Sequence, residues 1–317
     1  MSLDFIDTLR TKEEIEFEVE EIKINLPNGG YISGKWWGNK SIRPFICLHG
    51  WIDNAGSFDR LIPLLPREFS YLAIDFPGHG RSSWSPQGVL YHLLDYLYLL
   101  TFLMKEYKWE KLSIIAHSLG AKIAFIYAGI YPDKVDMIVN IEEIITLVPK
   151  FDVAMATMKE SIDNFMSVDQ KMFENKEPQA FTIDQMVEKI CTNNLGNLTR
   201  ESAPYLLKRS IKPSKKFPGK FYLSRDRRLK YMVKFHLPIS TCIELVREIK
   251  FPYLSIIISN SDHPDYKAIL NAMKESKNYE FFEPDSISHH VHLVEPEKIA
   301  DVIGKFIIKH KTSKSHL

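Results

Sequence analysis

The sequence predicts an α/β fold: a mostly parallel sheet flanked by helices, with a helical cap insertion. Three observations carry that prediction. Short apolar runs at 44–48, 71–74, 112–115 and 135–141 have the length and composition of strands buried on both faces. Helix-spaced apolar residues lie between them, and alternating strands and helices imply right-handed crossovers into one parallel sheet. From 149 to 237 the alternation stops, and Met155, Met158, Met166, Met172 and Met186 sit among polar residues with no convincing strand.

The elements follow in order. Residues 17–26 alternate apolar and charged side chains, and Asn28-Gly29-Gly30 is a hairpin signal ahead of a second strand at 31–37. Beyond the strand at 44–48, Phe58, Leu61, Ile62 and Leu65 are spaced for a helix over 57–65. Leucines and tyrosines predict a long helix over 90–107, and a third helix spans 119–130 behind the strand at 112–115. After the cap come strand 251–259, helix 266–277, strand 279–282 and helix 296–310. The division is a first core part (1–148), a helical cap (149–237) and a second core part with a C-terminal tail (238–317).

Composition narrows the function. Across 317 residues, 41 basic and 40 acidic side chains leave a net charge of +1, which argues against a nucleic-acid or polyanion binder. The 45% apolar and 12% aromatic content is ample for a core. Cys47, Cys191 and Cys242 are far apart and odd in number, so no disulfide framework or zinc spacing can be drawn, and a reducing compartment is expected. The acidic N-terminal region is unlike a signal peptide, and the longest apolar stretch, 112–131, carries His117 and Lys122, so no membrane span is expected. Of 14 glycines, 11 lie at or before Gly129, which concentrates tight turns and close backbone approaches in the first core part.

Three motifs occupy that region. Ala116-His117-Ser118-Leu119-Gly120 joins a buried strand to a helix, the context in which a strained turn projects a serine hydroxyl from the carboxyl edge of a sheet. A serine N-cap is the structural alternative. At the helix start the Leu119 amide is placed to stabilise negative charge. His49-Gly50-Trp51 ends an earlier strand, with His49 bracing the loop. Asp75-Phe76-Pro77-Gly78-His79-Gly80-Arg81-Ser82 follows the next strand, where Asp75 and Arg81 are expected to form an internal ion pair.

Together these motifs resemble the α/β-hydrolase superfamily, and the wording of 50–66 resembles the serine hydrolase-like proteins of animals, the kraken type. The resemblance implies a nucleophile–acid–histidine triad in that chain order, with Ser118 as nucleophile. It also implies an oxyanion hole made by the Trp51 and Leu119 amides. Serine at this position separates the chain from the branches with an aspartate nucleophile. Asp262, after the strand at 251–259, is the expected acid, and Glu142, at the end of the strand at 135–141, is its rival. Relatives carry a proline seven residues after the catalytic histidine; counting back from Pro296 selects His289, with His290 and His292 as alternatives. Ser288 stands where relatives often have glycine.

The implied reaction is hydrolysis of a carboxylic ester or thioester through an acyl-enzyme, with no metal or nucleotide required. The cap methionines and Phe151, Phe165 and Phe173 suit an apolar substrate group, although packing of most methionines against the sheet is the simpler expectation. A catalytically silent binding protein on the same fold is the competing reading. The terminal Ser315-His316-Leu317 resembles a peroxisomal address, implying a peroxisomal or cytoplasmic protein that meets the import receptor.

Overall fold

The protein is described here from a computed structural model covering residues 17–144, 150–174, 177–192, 197–232, 236–258 and 264–312. Its first strands, β1 (Val19–Asn25) and β2 (Tyr31–Trp37), form the antiparallel hairpin expected around Gly29, which takes φ +82°. β3 (Phe45–Leu48), β4 (Tyr71–Ile74), helix α1 (Leu93–Glu106), β5 (Leu112–His117), α2 (Leu119–Ile130) and β6 (Val135–Ile141) complete the first core part. The predicted helix at 57–65 is instead two short 3₁₀ turns, Ala55–Phe58 and Ile62–Leu64. The Asn54 side chain caps the first by accepting from the Gly56 amide, and Pro63 opens the second. The apolar spacing there records burial of both turns, not a continuous helix.

The cap holds α3 (Phe151–Phe173), α4 (Ile183–Thr192) and α5 (Ala203–Ser210). It also contains a small antiparallel pair, β7 (Ile211–Pro213) and β8 (Phe221–Leu223), which corrects the expectation of a cap without strands. Three-residue strands are too short to display a sequence period. The second core part contributes α6 (Ile239–Glu248), β9 (Tyr253–Ile256), α7 (Pro264–Lys274), β10 (Tyr279–Phe282), the single turn α8 (Val291–Val294) and α9 (Glu297–Thr312).

The strand order is β1-β2-β4-β3-β5-β6-β9-β10, antiparallel through β2/β4 and parallel from β4 onward. Both faces are covered. Ile46 and Leu48 of β3 pack with α1 and α2, while Phe45 and Cys47 pack with the 3₁₀ turns and α9. Near-continuous apolar runs in the central strands follow from this double burial. Burial also raises the Cys47 thiol pKa, so Cys47 is inert packing material.

Charged groups tie the cap to the core. Asp75 does not pair with the Arg81 guanidinium: it accepts the Arg81 backbone amide at 2.9 Å, and its ion-pair partner is Arg209 of α5 at 2.8 Å. Arg81 turns outward to Glu21, 3.1 Å away. Burial disfavours charge on Asp75, but Arg209 and the amides of Ala55 and Arg81 reverse the balance and lower its pKa. Beyond the small pair of strands, Arg228 is likewise held by Asp226 and Asp169, each at 2.7 Å.

Candidate active site

Ser118 stands between β5 and α2 with φ +49° and ψ −109°, a conformation that a non-glycine residue adopts only when its surroundings enforce it. Its amide donates to the Ile141 carbonyl at 3.0 Å, and the Gly120 amide donates to His49 O at 3.2 Å. A Cβ on Gly120 would overlap the Leu48 carbonyl, so glycine is required for α2 to approach β3. The serine is therefore a strained strand-to-helix elbow and has no side-chain capping bond. Leu119 buries its side chain in the core while its amide lies in the first turn of α2, where no intrahelical acceptor is available.

His289 lines the same cavity as Ser118, Trp51 and His290. Its Nδ1 lies 3.5 Å from Glu142 Oε2, longer than a good hydrogen bond but close enough for a strong charge interaction when the ring is protonated. Glu142 follows β6 directly and takes φ +63°. Its amide donates to Ile256 O at 2.8 Å, and its carboxylate accepts from the Ile258 amide. A second strained residue thus sits at the neighbouring strand end and presents a nearly buried carboxylate to His289. Asp262 lies outside the described residues.

The remaining histidines divide by their hydrogen bonds. His49 Nε2 accepts from the Phe76 amide at 3.0 Å, so Nδ1 carries the proton given to Gly50 O at 2.7 Å. It braces the loop as the sequence suggested. His117 Nε2 meets the His289 carbonyl at 2.8 Å; a carbonyl only accepts, so the proton is on Nε2 and Nδ1 bears a lone pair. This bond fixes the backbone of His289 against the nucleophile strand. Burial, then the neighbouring histidines, lower the His117 pKa well below its ordinary value.

His290 Nε2 lies 3.0 Å from Asp53 Oδ2. Burial penalises the Asp53 charge, but His290 outweighs it and the carboxyl titrates at about 2. His292 is fully buried, and its ring centre is 4.1 Å from that of His117. Ligand atoms of Asp53, His117 and His290 lie within 4.8 Å of one another, so these three could accept a divalent ion. Asp53 was not anticipated. Its signal was position, two residues past Trp51 at the rim of the proposed oxyanion loop.

The cavity has a volume of about 440 Å³. The cap supplies Phe181, Met186, Ile190, Leu198, Leu206 and Leu223 to its wall, and the Trp51 indole donates to the cap carbonyl of Leu229 at 2.9 Å. Of the cap residues singled out from sequence, Met186 and Phe165 are buried, whereas Phe151, Met155, Met158 and Met166 lie on an exposed face of α3. Most of these methionines therefore do not pack the cap against the sheet. The Phe173 side chain and the tail 313–317 lie outside the described residues.

Residues 43–223 match the family model described as the alpha/beta hydrolase fold. A probable serine hydrolase of Drosophila melanogaster is 31% identical over 293 residues, 91% of this chain and 87% of its own. A human protein, serine hydrolase-like protein 2, is 29% identical over 91% of this chain and 94% of its own. Among solved structures, a hypothetical protein of Pseudomonas aeruginosa superposes with a TM-score of 0.76 at 25% identity, covering 92% of this chain and 99% of that one. The thioesterase domain from the curacin biosynthetic pathway shares the fold with a TM-score of 0.70 at 20% identity, covering 90% and 99%. With its parallel sheet, strained serine elbow and these relatives, the chain belongs to the α/β-hydrolase fold family and is similar to its serine hydrolase-like members.

Proposed function

We propose that the protein hydrolyses a carboxylic ester or thioester through an acyl-enzyme on Ser118. The observation that carries this reading is that Ser118, at φ +49°, and His289 border one cavity to whose wall the cap contributes six apolar side chains. His289 removes the hydroxyl proton as Ser118 attacks the carbonyl carbon, then returns it to the leaving group. A carboxylate orients the imidazole and stabilises its protonated form. Glu142, 3.5 Å from Nδ1, is the described residue suited to that role. The Trp51 and Leu119 amides hold the oxyanion, each contributing about 3 kcal/mol by analogy with other oxyanion donors. Water then attacks the acyl-enzyme with His289 as base.

A fluorophosphonate probe tests the reading directly. Stoichiometric labelling of the purified chain, lost in Ser118→Ala, is the expected outcome. No labelling of a protein whose circular dichroism confirms folding would favour a silent binding protein. We also propose that Ser315-His316-Leu317 serves as a peroxisomal address. Deleting these residues should shift a fluorescent fusion from punctate to diffuse, and an unchanged distribution rejects the address.

A further inference from the structure

The cavity wall carries an arginine whose surroundings differ from those of the other deeply placed arginines. Arg209 spends its donors on Asp75, Glu21 and Ser33, and Arg228 on Asp226, Asp169 and the carbonyls of Ser85 and Pro86. Arg225 follows β8 by one residue past Ser224 and lines the same cavity as Ser118. Among the described residues no hydrogen bond or ion pair engages its guanidinium. Burial lowers its pKa and Asp53 only partly offsets this, but arginine remains charged under any ordinary condition.

A planar guanidinium with five donors, partly desolvated and without a protein acceptor, is poised for an external anion. Asp53 favours the Arg225 charge from a distance, but its contacts are with His290 and His117 and none is with the guanidinium. A second cation, Lys189, lines the same wall from α4. Apolar residues of the same cavity wall, Phe181, Ile190, Leu198 and Leu223, suit a methylene chain.

We infer that Arg225 forms an anion subsite and that the preferred substrate is an ester or thioester carrying a carboxylate or phosphate away from the scissile carbonyl. The inference rests on the hydrolase reading for the word substrate, but the subsite itself can be tested without turnover. Calorimetric titration of the full chain with glutarate, and separately with inorganic phosphate, should detect saturable binding of one of them. That binding should weaken at least tenfold in Arg225→Met and less in Arg225→Lys, which keeps the charge but not the fork. Stronger binding of glutarate assigns the anion as a carboxylate, and stronger binding of phosphate points to a phosphate-bearing group such as a coenzyme thioester.

The kinetic arm compares p-nitrophenyl hydrogen glutarate with neutral p-nitrophenyl valerate. The ratio of their kcat/KM values should favour the anionic ester and fall at least tenfold in Arg225→Met, chiefly through KM. Binding of neither anion, or equal binding by parent and a folded Arg225→Met, overturns the subsite. Absence of turnover and of fluorophosphonate labelling would sink the hydrolase reading instead, while the titration still decides the subsite.

Discussion

At the scale of single residues, two carboxylates compete for the place behind His289. The strand-end position of Asp262 follows from chain order, whereas Glu142 is placed 3.5 Å from Nδ1 by a backbone turn at φ +63°. No sequence period reports such a turn, and glutamate is not among the residues, Asn, Asp and His, that favour the left-handed region. If Glu142 is the orienting acid, Glu142→Gln should lower kcat for a p-nitrophenyl ester by roughly 10²–10⁴-fold, as loss of a triad carboxylate does elsewhere. Asp262→Asn should then cost less than about tenfold by the same comparison. The reverse ranking would make Asp262 the acid and leave Glu142 as a brace for the Ile258 amide. Ser118 was legible because strand, small residues and helix surround it in sequence. Asp53 and Arg225 were not, since each acquires meaning only when loops far apart in the chain line one cavity.

At the scale of elements, strands buried on both faces were easy to read and the cap was not. β6 and α2 match their expected bounds because a run of apolar residues, or a regular helical stripe, is a local property. The 3₁₀ turns at 55–64 deceived the same rule, since Phe58, Leu61 and Ile62 are buried by tertiary packing rather than by helical period. Cap attachment likewise depends on a long-range pair: Arg209 of α5 donates to Asp75, which is fully buried after β4. Removing one partner of a buried pair strands the other charge, at a cost of about 3–5 kcal/mol. Arg209→Met should therefore lower the urea midpoint substantially, whereas Arg81→Met, at the exposed side of the same loop, should change stability by less than about 1 kcal/mol. Equal effects of the two substitutions would mean that the Asp75–Arg209 pair does not secure the cap.

At the scale of the whole molecule, the site is an assembly of strand-end loops from both core parts closed by the cap, and the core that carries it buries His49, His79, His117 and His292. Burial lowers the pKa of His49, His79, His117 and His292 from 6.5, with His79 falling to about 3. The unfolded chain binds protons near pH 6.5 while these folded histidines do not, so stability is complete above that value and is lost as pH falls below it. Asp53 acts in the same direction lower down: its folded pKa of about 2 lies beneath the ordinary 3.8, and its contribution disappears as pH falls through that window. Each neutral histidine withdraws up to about 1.4 kcal/mol per pH unit once the unfolded form is protonated. Several together form a slope that is large against the roughly 5–15 kcal/mol that holds a domain folded. The thermal midpoint should therefore be nearly level from pH 8 to 7 and fall steeply from pH 6 to 5. Differential scanning calorimetry in buffers of matched ionic strength measures this directly. A level profile down to pH 5 would mean that the cluster takes up protons without unfolding, and that these imidazoles are more open to water than their packing implies.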